Sequence, residues 1–282
     1  MTDRPSEHEK ERSDLTSELR ELGYVLNAEG ALVSTEDEEK FKYTNEENYD
    51  KVGSILLNLM YNELTDPEGD YMFQRHKVDG ADVNYFASAD YRTSETVVFL
   101  VHGSGKIRAG QWARSLMINE STDNGSMMPM IRHFQKQKYG IVLFDYNERT
   151  EDEWSPIKGS HATWQHLMKD DHLKAKSIVI VAHSFGGGVI YEILKEYDVD
   201  EDQMPPIKAI AYTDVGFAAR PTLDLLKHWN DKPAFCHWMA SGKELDEVIN
   251  PYTVSAGTKE HIRTTLQATE SIFKFVEEAL KE

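Results

Sequence analysis

Four short runs, residues 96–101, 140–146, 177–183 and 207–214, are apolar almost without interruption. A strand with one wet face alternates apolar and polar residues, so runs like these predict strands buried on both faces. Between them lie stretches with helical spacing, near 109–118, 127–138, 160–174 and 187–197. Strands alternating with helices predict an α/β fold: a mostly parallel central sheet with helices on both faces. Residues 234–241 and 252–257 predict a fifth and a sixth strand of this series. Residues 262–280 predict a closing helix that buries Ile272, Phe273, Val276 and Leu280. Ahead of the series come two strands, over 71–78 and 83–87. Before those, GYVLNAEGALVS (23–34) reads as a hairpin, followed by an amphipathic helix near 46–64. The helix's stripe of Val52, Ile55, Leu56, Leu59 and Met60 is expected to face the core. Residues 1–20 are expected to be frayed or disordered, apart from a short helix near Leu15–Leu22, and residues 21–282 to form a single domain.

The third strand of the series leads into Ala182-His183-Ser184-Phe185-Gly186 and then into a helix. Strand, small-x-Ser-x-Gly, helix is the arrangement of a nucleophile elbow, which makes an α/β-hydrolase-like fold the expectation. The tight turn demands small flanking residues and lifts the Ser184 hydroxyl above the sheet. It also places the Phe185 N–H and the helix N-terminus beside a reacting carbonyl. The first strand ends in His102-Gly103-Ser104-Gly105, where hydrolases of this kind keep the other half of the oxyanion hole. Gly103, Ser104 and Phe185 are therefore the candidate oxyanion donors. A serine needs a base, and the chain order on this fold is serine, acid, histidine. His261 lies in a loop just before the last helix and fits that place better than His228, in a helix, or His237, in mid-strand. Two aspartates compete for the acid: Asp214 at a strand end, and Asp246 after the following strand, the commoner location. His183 is expected to pack structurally.

The remaining composition excludes classes. The net charge is −18, with no cluster of Lys and Arg, which disfavours direct nucleic-acid binding. There is no H-E-x-x-H, no cysteine pair, no Walker loop and no dinucleotide fingerprint, so no metal or cofactor is expected. One cysteine, Cys236, excludes an internal disulfide. No apolar run is long enough for a membrane helix, and the charged N-terminus lacks the apolar core of a signal peptide. Nucleus or cytoplasm, rather than secretion, is the expected location.

HGSGKIRAGQWARSLMINE (102–120), VAHSFGGG (181–188), YTD (212–214), VSAGTKEH (254–261) and SIFKF (271–275) resemble the Argonaute-binding Arb-two family of cotranscriptional regulators. The same domain type ends the fungal class II histone deacetylases. The likeness extends over roughly residues 20–278. It implies an α/β-hydrolase-like fold with serine at the elbow, and partners among Argonaute, chromatin and splicing proteins. Arg108, Gln111 and Trp112 belong to the family's signature. His102, Arg108 and Gln111 are candidate contacts to a substrate or an anion, with a salt bridge as the alternative for Arg108. Where some animal relatives carry a long basic insertion, residues 147–160 are short and acidic.

Two functions remain open on this reading. One is a working serine hydrolase on a small ester, amide or acyl-protein. The other is a hydrolase-like scaffold that acts by binding partners in gene-silencing, chromatin or splicing complexes. Hydrogen-bond contact between Ser184 and His261 beside an open pocket would favour the enzyme; a pocket filled by Trp112 or Phe217 would favour the scaffold.

Overall fold

A computed structural model describes residues 5–78, 83–147, 155–169, 172–197, 205–229 and 232–281. The elements begin with α1 (Glu7–Glu21), the hairpin strands β1 (Tyr24–Leu26) and β2 (Leu32–Ser34), and α2 (Glu46–Thr65). Then come β3 (Gln74–Lys77), β4 (Asn84–Ala87) and β5 (Thr96–Val101). Three short helices follow, α3 (Arg114–Asn119), α4 (Thr122–Gly125) and α5 (Met128–Lys136). The chain continues through β6 (Gly140–Asp145), α6 (Pro156–Met168), β7 (Ser177–His183), α7 (Phe185–Leu194), β8 (Ile207–Thr213) and α8 (Ala219–Leu226). It closes with β9 (Ala234–Met239), β10 (Val248–Asn250), β11 (Thr253–Ser255) and α9 (Thr264–Ala279).

Among the described residues, nine strands form one sheet in the order β10-β11-β9-β8-β7-β5-β6-β4-β3. The stretch from β6 through β5, β7, β8 and β9 to β11 is parallel, and β4, β3 and β10 pair antiparallel at the edges. This is the expected mostly parallel sheet with helices on both faces. Successive residues of each inner strand feed opposite cores. Phe99, Phe144 and Ile180 pack against α6, α7 and α8 through Trp164, Ile190 and Leu225. Leu100, Leu143 and Val181 pack on the other face with Ile131, Phe134, Ile272 and Val276 of α5 and α9. Because β5 sits between β6 and β7, the connections diverge at the carboxyl ends of β5 and β7, the crevice where open α/β sheets bind ligands.

The N-terminus departs from expectation. Residues 7–21 form helix rather than frayed chain, started by a capping box in which Ser6 and Glu9 satisfy each other's backbone N–H. Leu15 and Leu19 are buried in a third core shared with the hairpin and with Val52, Ile55 and Leu56 of α2. Two leucines one turn apart suffice for an otherwise charged helix once α2 provides the opposing face. The helix expected over 160–174 instead starts at Pro156, whose ring suits a first helical turn, and ends at Met168. The expected helix near 109–118 begins only at Arg114, because Trp112 and Ala113 give their N–H groups to Gly125 O. Residues 148–154, half of the acidic segment 147–160, lie outside the described residues. No described helix is long and apolar enough to cross a membrane.

Candidate active site

Ser184 sits between β7 and α7 with φ 54° and ψ −125°, a conformation rare for any residue but glycine. The turn is held from both sides. Ser184 N–H donates to Thr213 O at 3.0 Å, which ties it to the end of β8. A Cβ on Gly186 would come within 2.6 Å of the carbonyl oxygens of Val101 and His102, and one on Gly187 within 2.4 Å of Val215. The glycines therefore let α7 start directly against the end of β5, which keeps the strained serine in place.

The structure brings three predicted residues together. Ser184 Oγ–H donates to His261 Nε2 at 2.9 Å, and His261 Nδ1–H donates to Asp214 Oδ2 at 2.6 Å. The carboxylate fixes the imidazole tautomer that leaves Nε2 free to accept the serine proton. Asp214 follows β8 with φ 47°, and its other oxygen accepts the Ala240 N–H at 3.1 Å. Burial pushes its carboxyl up, but hydrogen bonds from His261 and Ala240 outweigh that and hold it below the usual carboxylate range. His261 is itself set by Thr264, whose hydroxyl donates to His261 O at 2.8 Å. Its side chain is 47% exposed, whereas that of Asp214 is 18% exposed.

Asp246 is not part of this group. Its two oxygens accept Trp238 Nε1–H at 2.8 Å and Ser271 Oγ–H at 2.6 Å, so it ties β9 to α9. His237 is buried in β9 against Thr253, and His228 is exposed beyond α8; neither is bonded to Ser184. His183 donates or accepts through Nδ1 with Thr213 and Thr265 hydroxyls at 3.1 and 3.2 Å. Burial and the neighbouring His261 push its pKa down to about 3, so it stays neutral with its ring centre 4.8 Å from that of His261.

Gly103 lies against the serine: a Cβ there would be 3.3 Å from Ser184 Cβ and 3.6 Å from Oγ. Gly103 O accepts from His102 Nδ1–H at 2.7 Å and Asn147 Nδ2–H at 3.0 Å, which fixes the peptide plane that carries the Ser104 N–H. Phe185 opens α7, so its N–H has no carbonyl one turn back in the helix. Gly103 and Ser104 line the same cleft as Ser184 and His261, a cavity of about 320 Å³.

The three residues put forward as substrate or anion contacts lie behind this cleft. Arg108 spends its guanidinium on a two-pronged pair with Asp145, at 2.9 Å for both contacts, beneath the loop. Gln111 is buried; it accepts the Arg108 N–H at 3.1 Å and donates to Met117 sulfur. His102 is fully buried against the Tyr146 ring, whose hydroxyl donates to His102 O, and burial pushes its pKa down. All three build the loop. Two supports were not singled out from sequence. Asp50 of α2 holds both Lys106, just beyond the glycine loop, and Arg114, at 2.7 Å each. Arg263, two residues after His261, pairs with Glu120. Their partners are far apart in sequence, and nothing local marks them.

Among the described residues no cluster of His, Cys, Asp and Glu could hold a metal ion. A model of the Arb2 domain family matches residues 15–166. The chain is 28% identical over 310 residues to the cotranscriptional regulator ARB2A homologue of Dictyostelium discoideum, covering 93% of this chain and 80% of that protein. It is 24% identical to human cotranscriptional regulator ARB2A, covering 94% of this chain and 81% of that one. Among solved structures, the Francisella virulence factor BioJ aligns over 83% of this chain and 93% of its own, at TM-score 0.49 and 13% identity. The Pyrococcus furiosus esterase Pf2001 aligns over 74% and 90%, at TM-score 0.42 and 16% identity.

Proposed function

The chain belongs to the Arb2 domain family, and on that premise we propose that it is a regulatory protein of hydrolase fold whose Ser184 is a working nucleophile. The observation that carries this reading is the continuous line from Ser184 through His261 to Asp214, at 2.9 and 2.6 Å, beside an open cleft. Neither aromatic that could plug the site does so. Phe217 is 77% exposed, and Trp112 forms a wall.

In this reading Ser184 Oγ attacks the carbonyl carbon of an acyl substrate and His261 Nε2 takes its proton. The oxyanion is met by the N–H groups of Phe185 and of the Gly103-Ser104 loop. As the carbon–heteroatom bond breaks, His261 returns the proton to the leaving group. Water then attacks the acyl-enzyme and gives a proton to His261, which passes it to Ser184 Oγ as the acyl–oxygen bond breaks and a carboxylic acid leaves. Asp214 stabilises the imidazolium in both steps. Each oxyanion donor is worth about 10²- to 10³-fold in rate.

The regulatory half of the proposal rests on the relatives named as cotranscriptional regulators. In this reading the protein acts in nuclear complexes without direct nucleic-acid contact, and its partners are the Argonaute, chromatin or splicing proteins that the family resemblance implies. Fluorophosphonate labelling tests the nucleophile: wild type is labelled, and Ser184→Ala and His261→Ala are not. A folded wild type that takes no label removes the catalytic half and leaves a binding protein, to be sought by pull-down.

A further inference from the structure

Resting on the hydrolase reading above, we propose that the site takes a short acyl group borne on a protein, with Trp112 setting the acyl length. The cleft encloses about 320 Å³, at the small end of the ~300–1,000 Å³ usual for small-molecule sites. A cleft at that end of the range suits a short acyl group, on the order of eight carbons or fewer. Trp112 and Tyr49 give it two aromatic walls. Trp112 is 6% exposed, its backbone N–H donates to Gly125 O at 2.8 Å, and its ring stands edge-on to His183. Tyr49 of α2 faces the same space, its ring covered by the Arg114 guanidinium at 5.5 Å. In this proposal a longer acyl chain is stopped by the Trp112 ring.

The mouth has the opposite character. His261 is 47% exposed and Ile262 beside it 38%. The link from β8 to α8, which carries Asp214, is only residues 214–218, too short to fold over the site. Among the described residues nothing covers the catalytic pair, so a bulky leaving group can remain outside while its acyl group enters. Phe217 is exposed on this link, outside the residues that line the cleft. It is held between buried Val215 and Ala218, and its ring tip is 4.0 Å from where a Cβ on Gly188 would lie, one turn along α7 from Ser184. An exposed aromatic on a rigid link offers the carrier an anchor. The net charge of −18 argues against a nucleic-acid carrier, and the exposed mouth and apolar anchor suit a protein carrier.

The test uses the whole purified chain. Alkyl fluorophosphonates from ethyl to hexadecyl are first compared for labelling rate. The expected profile peaks at octyl or shorter and falls by at least about tenfold at hexadecyl. Trp112→Phe, which keeps an aromatic wall but frees space, is expected to move the peak to longer chains, and Trp112→Ala further if it folds. Butyryl ester on a serine-containing peptide is then compared with ethyl butyrate, and the peptide is expected to be turned over at least about tenfold faster by kcat/KM. No labelling at any length overturns the hydrolase reading and this inference with it. Labelling that peaks at dodecyl or beyond overturns the short-acyl claim alone. An unmoved peak in Trp112→Phe removes Trp112 from its role, and equal turnover of the two butyryl esters removes the protein carrier.

Discussion

Asp214 and Asp246 are the same side chain one strand apart, and their surroundings give them different work. Asp214 has one oxygen on the Ala240 N–H and the other on His261; Asp246 has both oxygens on Trp238 and Ser271. Asp214→Asn keeps the shape but favours the wrong His261 tautomer, so labelling of Ser184 is expected to slow by about 10⁴-fold with the fold intact. Asp246→Asn is expected to leave labelling within a few fold and to lower thermal stability. Equal losses in the two would contradict the assignment of the acid. Arg108 makes a different case. Asp145 is fully buried, and Arg108 meets both of its oxygens. Arg108→Ala leaves that carboxylate without its counter-charge, held by the Ala109 N–H, and is expected to destabilise the fold by about 3–5 kcal/mol in urea titrations. Arg108→Lys rescues only part, since an ammonium cannot span both oxygens. A variant as stable as wild type would return Arg108 to the list of ligand contacts.

At the scale of elements, the site depends on how closely α7 approaches β5. Gly186→Ala puts a methyl 2.6 Å from two carbonyl oxygens, backbone atoms that cannot swing aside. The variant is expected to lose about 1–3 kcal/mol of stability and most of its labelling, because Ser184 and the Gly103 loop must separate. Gly188→Ala, with only the Phe217 ring tip at 4.0 Å, is expected to be tolerated and serves as the control. The first helix gives a second prediction at this scale. Leu19 is 1% exposed in the core between α1 and α2, so Leu19→Ala is expected to cost about 2–5 kcal/mol by denaturant titration. A frayed N-terminus would show no such loss. The capping box Ser6-x-x-Glu9 was the legible signal for this helix, and the charge of the surrounding residues hid it.

For the whole molecule, buried histidines set the response to acid. Burial pushes His183 down to about 3 and His237 and His172 down to about 4, from an ordinary 6.5. Between those values the unfolded chain binds protons that the folded chain refuses, so stability falls as the pH falls from 6.5 toward 4. Asp214 extends the trend. A carboxyl held below its usual range stabilises the fold above that range, and the contribution is lost as the pH falls through the lowered value. Urea midpoints are expected to drop steadily between about pH 7 and about pH 4.5, with a shallower slope in His237→Gln. A flat profile over that interval would show that these rings are hydrated in solution.

The sequence by itself determined a mostly parallel sheet and the elbow that follows one of its strands. Four nearly uninterrupted apolar runs call for burial between two layers of helices, and small-x-Ser-x-Gly after such a run is the pattern of an elbow. It also singled out His261, because the last loop before the closing helix is where this topology returns a side chain to the elbow. Which aspartate completes the line, which signature residues face the cleft and which lie behind it, and whether the N-terminus folds were decided by tertiary structure. Each depends on a partner distant in the chain: Ala240 and His261 for Asp214, Asp145 for Arg108, α2 for Leu19. Local pattern records what a residue can do; only packing brings it the partner that selects one of those roles.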